Sequence, residues 1–231
     1  MTKPDASIRA RPLEEVKAEI IRRGGKLNPL DGIIPEDAAG VAKALKSLDR
    51  DEWAKEWSRL GDRYEAQADA FEKRRGDKKQ IRDLYYLAFN YFRIGRYPCP
   101  TTAGTQEAYE HSLRNFRKAA KYFDPPLEIV EVPFGGRKLI GYLQIPPGIK
   151  KPPVVMHWGG VDGWKEDRQR AHAMLNEAGL AGFAIDMPGT GESPVLYTAP
   201  EAEHTFSIMI DHLLKRTDID ASRLGVWGGS Y

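Results

Sequence analysis

Between Leu13 and Phe123 the apolar positions recur every three or four residues, the spacing that places them on one face of an α-helix. Leu13 to Arg23 is one such stretch, closed by Gly24-Gly25, and Pro35 to Leu48 is a second, with proline in its first turn. Asp49 and Glu52 have capping-box spacing and open a long helix through Trp53, Trp57, Leu60, Tyr64 and Phe71. Asp77 and Gln80 repeat that signal before a helix carrying Leu84, Leu87, Tyr91 and Ile94, which Gly95 and Pro98 end. Thr105 to Phe123 is a further helix, with Leu113, Phe116 and Ala120 on one face. No fixed period relates these helices, which argues against a helical-repeat array.

The pattern changes at Asp124-Pro125-Pro126, where short β-branched runs begin to alternate with helical stretches. Leu127–Val132 and Lys138–Ile145 read as strands joined by the hairpin turn Phe134-Gly135-Gly136-Arg137. Strands at Pro153–His157, Ala181–Asp186 and Arg223–Trp227 are separated by predicted helices at Glu166–Ala178 and Pro200–Arg216. This order predicts an α/β fold: a mostly parallel sheet with an antiparallel edge, helices on its faces, and an all-helical domain before it. The expected domains are residues 1–124, helical, and 125–231, the sheet-bearing part.

Composition narrows the function classes only a little. The 231 residues carry a formal net charge of +2 and 41% hydrophobic residues, which gives no reason to expect nucleic acid or an anionic membrane as partner. The basic runs Lys73-Arg74-Arg75 and Lys78-Lys79 fall between two predicted helices and read as solvated surface. Cys99 is the only cysteine, lies between two prolines and has no catalytic motif around it. No apolar leader opens the chain and no apolar run reaches membrane-spanning length, so a cytoplasmic location is expected. No cofactor or metal is expected, since no ligand spacing is present.

Three loops at strand ends carry chemistry. Gly228-Gly229-Ser230-Tyr231 follows Leu224-Gly225-Val226-Trp227, read as a buried-type strand, and fits the first four places of G-x-S-x-G. A serine at such a strand-to-helix turn is lifted above the sheet as a nucleophile, and small neighbours relieve the crowding. His157-Trp158-Gly159-Gly160-Val161-Asp162-Gly163 leaves the preceding central strand, where a main-chain N–H can serve an oxyanion hole. The Val161 N–H is the first candidate, Gly160 its neighbour, and Tyr231 the second donor. Asp186-Met187-Pro188-Gly189-Thr190-Gly191-Glu192 lacks the third glycine and the helix of a dinucleotide fingerprint, so Asp186 is read as hydrogen-bonding a structural turn. The five histidines all precede Ser230 and are read as structural or surface residues.

With these residues in view, the chain resembles the α/β-hydrolase superfamily. Its branch is the one containing the FrsA-like esterases, 2,6-dihydroxypseudooxynicotine hydrolase and fungal polyketide-shortening hydrolases. The resemblance is carried by the helical N-terminal part, Tyr97-Pro98 after an aromatic helix, Gly159-Gly160 through Lys165-Glu166, Asp186 through Glu192, and the Gly228–Tyr231 turn. It implies a serine nucleophile with a catalytic Asp and His, a helical domain capping the active site, and pairing as a homodimer. In this superfamily the acid and the histidine follow the nucleophile, so both are expected beyond residue 231, in a C-terminal remainder of the same protein. The expected activity is hydrolysis of an ester, or of a C–C bond beside a carbonyl, in a small organic substrate. Tyr85, Tyr86, Phe89 and Phe92 could line the pocket from above or form the helical domain's own core. The alternative is a partner-binding or regulatory protein with an inactive hydrolase fold.

Overall fold

A computed structural model describes residues 11–229, which divide into two compact units at Phe116 and Arg117. The first unit is built of α1 (Leu13–Arg23), α2 (Pro35–Ala44), α3 (Arg50–Lys73), α4 (Lys78–Arg96) and most of α5 (Ala103–Ala120). The Asp124-Pro125-Pro126 step lies within the second unit.

The helix ends show local chemistry at work. Asp49 caps α3 by accepting from the Asp51 and Glu52 N–H groups, both at 3.0 Å. Glu52 does not complete the predicted capping box. Its carboxylate instead takes the N–H groups of Lys46 and Ser47 and the Ser47 hydroxyl. Those bonds hold an extended connection, so α2 ends at Ala44 and not at Leu48; Leu45 turns out of the helix to bury its side chain. Asp77 accepts from the Gln80 N–H at 2.8 Å and caps α4, but Gln80 does not return the bond that would complete the predicted box.

Trp57, Leu60 and Tyr64 of α3 pack with Tyr91, Phe92 and Ile94 of α4 to form this unit's core. The Tyr64 and Tyr91 rings stack at 5.3 Å, and both hydroxyls donate to the Asp37 carboxylate. Tyr85, Phe89 and Phe92 are buried, and Phe89 and Tyr86 contact Phe116 at 5.3 and 6.5 Å. Of the two roles open to these aromatics, core packing within the unit is the one seen.

The second unit holds a five-stranded sheet: β1 (Leu127–Phe134), β2 (Arg137–Gln144), β3 (Pro153–Trp158), β4 (Ala181–Ile185) and β5 (Asp220–Gly228). Gly135 and Gly136, both at positive φ, make the two-residue turn between β1 and β2. The spatial order is β1-β2-β4-β3-β5, antiparallel across β1, β2 and β4 and parallel across β4, β3 and β5. The chain returns from β3 to β4 through a 3₁₀ turn (Lys165–Arg168) and α6 (Gln169–Glu177), and from β4 to β5 through α7 (His204–Leu214). His172 and Leu175 of α6 press on Gly182, whereas Met209 of α7 lies beside Phe183 at Gly141. Adjacent strand residues face opposite ways, so the two helices cover opposite faces.

Both predicted helices in this unit are shorter than the sequence suggests. The first begins as a 3₁₀ turn, and the stretch before His204 forms turns. A larger difference concerns β5. The run Leu224–Trp227 reads as buried, yet Val226 is 59% and Trp227 42% exposed. The physical reason is position: β5 pairs with β3 on one side and is the sheet edge among the described residues. No helix among the described residues is long and apolar enough to cross a membrane.

Candidate active site

The crossover order sets the site. The chain leaves β4 by α7 and returns on the far side of β3, so β5 lies beside β3 in parallel. Register pairs His157 with Trp227 and Trp158 with Gly228. The loop after β3 and the end of β5 therefore lie at the same end of two neighbouring parallel strands, where α/β sheets bind their ligands. The Gly229 N–H donates to the Trp158 carbonyl at 3.1 Å, which ties the two exits together. Ser230 and Tyr231 lie outside the described residues.

Gly159 is required where it stands. A Cβ there would meet the Gly163 carbonyl oxygen at 1.9 Å, so the loop can fold back on itself only without a side chain. The Gly160 carbonyl accepts from the Gly163 N–H at 3.4 Å, and the Val161 carbonyl accepts from Trp164 Nε1 at 3.1 Å. The N–H groups of Gly160 and Val161 donate to no acceptor among the described residues. Val161 is exposed and Gly160 buried. Of the four residues singled out for this site, Gly160 and Val161 lie in the loop that follows β3, the neighbour of β5.

Beneath the loop lies a pair of histidines. His157 and His172 are almost fully buried, with ring centres 4.7 Å apart in an edge-to-face arrangement. Burial first, then the neighbouring ring and Arg168, push His157 down to about 2; burial and Arg168 push His172 down to about 3. Both are neutral at physiological pH. Arg168 Nε donates to His157 Nδ1 at 3.3 Å, and its guanidinium lies 4.9 Å over the Trp227 ring. These two histidines are packing residues, in keeping with their structural reading.

The third loop does what its composition suggests and more. Asp186 accepts from the Glu192 N–H at 2.9 Å, closing the Met187–Gly191 turn. It also accepts from the Lys165 N–H at 2.9 Å and from Lys165 Nζ at 2.7 Å. Lys165 has no exposed surface. Its ammonium lies 2.7 Å from Glu166 Oε1 and 2.8 Å from Glu192 Oε2 as well. The Glu166 contact is out of line for a hydrogen bond and is an ion contact. Lys165 and Glu166 stand in the sequence as the end of the Gly159–Glu166 motif. They open the charged run Lys165-Glu166-Asp167-Arg168, and their burial follows from the return of β4 beside β3.

Asp62, Glu65 and His111 also gather among the described residues, on α3 and α5. Arg114 holds both Glu65 oxygens, at 3.0 and 2.7 Å, so that carboxylate is already committed to an ion pair.

The geometry agrees with what the chain is similar to. Residues 46–231 match the family model described as "Esterase FrsA-like". The chain is 30% identical over 218 residues to Hydrolase ORFZ of Pyricularia oryzae, covering 84% of this chain and 51% of that one. It is 26% identical over 209 residues to 2,6-dihydropseudooxynicotine hydrolase of Paenarthrobacter nicotinovorans, covering 87% and 54%. The crystal structure of the 2,6-dihydroxy-pseudo-oxynicotine hydrolase superposes with a TM-score of 0.74 at 25% identity, over 86% of this chain and 55% of that chain. The chain spans about half the length of the curated relatives it matches. A match over most of its residues, on a sheet with this strand order, makes the chain a member of the FrsA-like esterase family of α/β-hydrolases.

Proposed function

We propose that this chain carries the nucleophile and oxyanion hole of a serine hydrolase that works through an acyl-enzyme. The substrate class is a small organic ester, or a compound with a C–C bond beside a carbonyl. Ser230 Oγ attacks the carbonyl carbon. The N–H groups of Tyr231 and Val161 hold the developing oxyanion, with Gly160 adjoining, a stabilisation worth about 3 kcal/mol per donor. Water then hydrolyses the acyl-enzyme.

The observation that carries this reading is the parallel pairing of β3 with β5. It supports the reading because the end of β3, whose loop carries the Gly160 and Val161 N–H groups, lies beside the end of β5, and those N–H groups donate to no acceptor among the described residues. The base must be a histidine that can gain and lose a proton near neutral pH. His157 and His172 are too deeply buried to do so.

In the full-length protein, a fluorophosphonate probe should label Ser230 stoichiometrically. Ser230→Ala should abolish both labelling and p-nitrophenyl ester turnover while leaving the urea midpoint unchanged. Well-folded protein that takes up no probe would favour a binding role, and full turnover in the Ser230→Ala protein would remove Ser230 from the mechanism.

A further inference from the structure

The buried lysine has no part in acyl transfer, yet it connects two loops that the mechanism needs held still. Lys165 closes the loop that leaves β3 through Gly159, Gly160 and Val161. Asp186 opens the turn that leaves β4. Through one carboxylate, Asp186 binds the Lys165 main chain, the Lys165 ammonium and the Glu192 main chain, at 2.9, 2.7 and 2.9 Å. Glu192 in turn contacts Lys165 Nζ at 2.8 Å, and Arg117 Nη2 reaches both of its oxygens at 2.8 and 3.0 Å. The Tyr142 ring on β2 lies 5.1 Å from the ammonium. At the same end of the loop, the Trp164 N–H donates to Asp167 at 2.7 Å.

Taking a lysine and three carboxylates out of water costs several kcal/mol per ion unless the geometry recovers it. Here burial alone pulls the ammonium down, while Asp186, Glu166, Tyr142 and Glu192 more than offset it and hold Lys165 charged, well above the usual lysine range. An apolar side chain would anchor the loop without this cost. What it would lack is direction: a charge held by acids on two different loops allows one relative placement of those loops.

We propose that Lys165 is a positioning residue for the oxyanion hole: its ammonium locks the loop bearing the Gly160 and Val161 N–H groups to the Asp186–Glu192 turn. The catalytic half of this inference rests on the hydrolase reading above; the locking itself does not.

The test uses two readouts on the full-length protein with Lys165→Gln, which keeps a donor and removes the charge. Amide hydrogen exchange should rise in residues 159–168 and 186–192 together, with the rest of the sheet unchanged. The rate of fluorophosphonate labelling at Ser230, per folded molecule, should fall at least about tenfold, and ester turnover should lose kcat with KM nearly constant. Should Lys165→Gln fail to fold, Glu192→Gln removes one of the three acids at the more exposed side of the cluster and should raise exchange in the same two segments by a smaller factor. Exchange that rises evenly over the sheet, or labelling that keeps its wild-type rate, overturns the proposal. If the wild-type protein does not label at Ser230, the hydrolase reading fails by itself, and the exchange comparison still decides whether Lys165 holds the loop.

Discussion

The helical unit and the sheet unit both bury cations, and they satisfy them differently. Near the end of α4, Arg93 reaches the Pro29 and Asp31 carbonyls at 3.0 and 3.2 Å and the Asp31 carboxylate at 3.3 Å, and Arg96 reaches the Pro98 carbonyl at 2.9 Å. Main-chain oxygens do not titrate, and guanidinium keeps its proton at any ordinary pH. In the sheet unit, Lys165 meets the side chains of Asp186, Glu166 and Glu192. That cluster holds one acid too many for its two cations, Lys165 and Arg117. Burial, then Asp186 and Glu192 against the opposing pull of Lys165, push Glu166 up to about 7. The comparison teaches that arginine held chiefly by carbonyls ties a loop with little dependence on pH, whereas lysine among acids makes a tie whose charge balance depends on a proton.

Three measurements would break or sharpen that contrast. The largest effect is expected in the helical unit, whose stability rests on apolar burial. Trp57 is fully buried against Tyr91, so Trp57→Ala should cost about 3–5 kcal/mol. The loss, read from urea midpoints, should be alike at pH 5.5 and pH 8; a strong pH dependence would place charge in that core too.

The second effect is smaller and carries a sign. The folded value of Glu166 lies above its ordinary value of about 4.5. Its proton therefore stabilises the fold fully below that value, and the contribution is lost as pH rises through 7. Glu166→Gln removes the loss, so the variant should exceed the wild type by about 3 kcal/mol at pH 8 and by progressively less toward pH 5. His157 and His172 act in the opposite direction, since their neutral forms stabilise the fold above about 6.5 and that contribution is lost as pH falls. Comparing wild type and variant at each pH cancels them. Equal urea midpoints at pH 8 would show that Glu166 is not the group carrying the cluster's surplus charge.

The smallest effect belongs to the surface. Lys79 pairs with Asp83 at 3.2 Å on α4 with both side chains largely in water, and Lys79→Ala should move stability by no more than about 0.5 kcal/mol. A larger change would mean that exposed pairs, and not only buried cations, help to hold the helical unit.

Much of this architecture is legible in residue order because its causes are local. The periodic stripe of α4, the Asp49 and Asp77 caps, the Gly135-Gly136 hairpin and the glycines after β3 and β5 each draw on neighbours within a few residues. The same holds for Asp186, whose bond to the Glu192 N–H spans six positions. The capping-box reading of Asp49 and Glu52 fails for a reason no spacing shows: Glu52 finds stronger use capping the connection from α2.

Sequence by itself determined the element types, the turn chemistry and the glycine-bearing loops that frame the candidate site. Only the tertiary structure decided which strands are neighbours, that His157 and His172 are sealed and neutral, that the α4 aromatics pack inward, and that Lys165 meets three acids. The first group depends on backbone preferences and side chains close in the chain. The second depends on long-range packing: α4 against α3 in the helical unit, and β4 and β5 returning on either side of β3 in the sheet unit, where that pairing sets each group's burial and with it its charge.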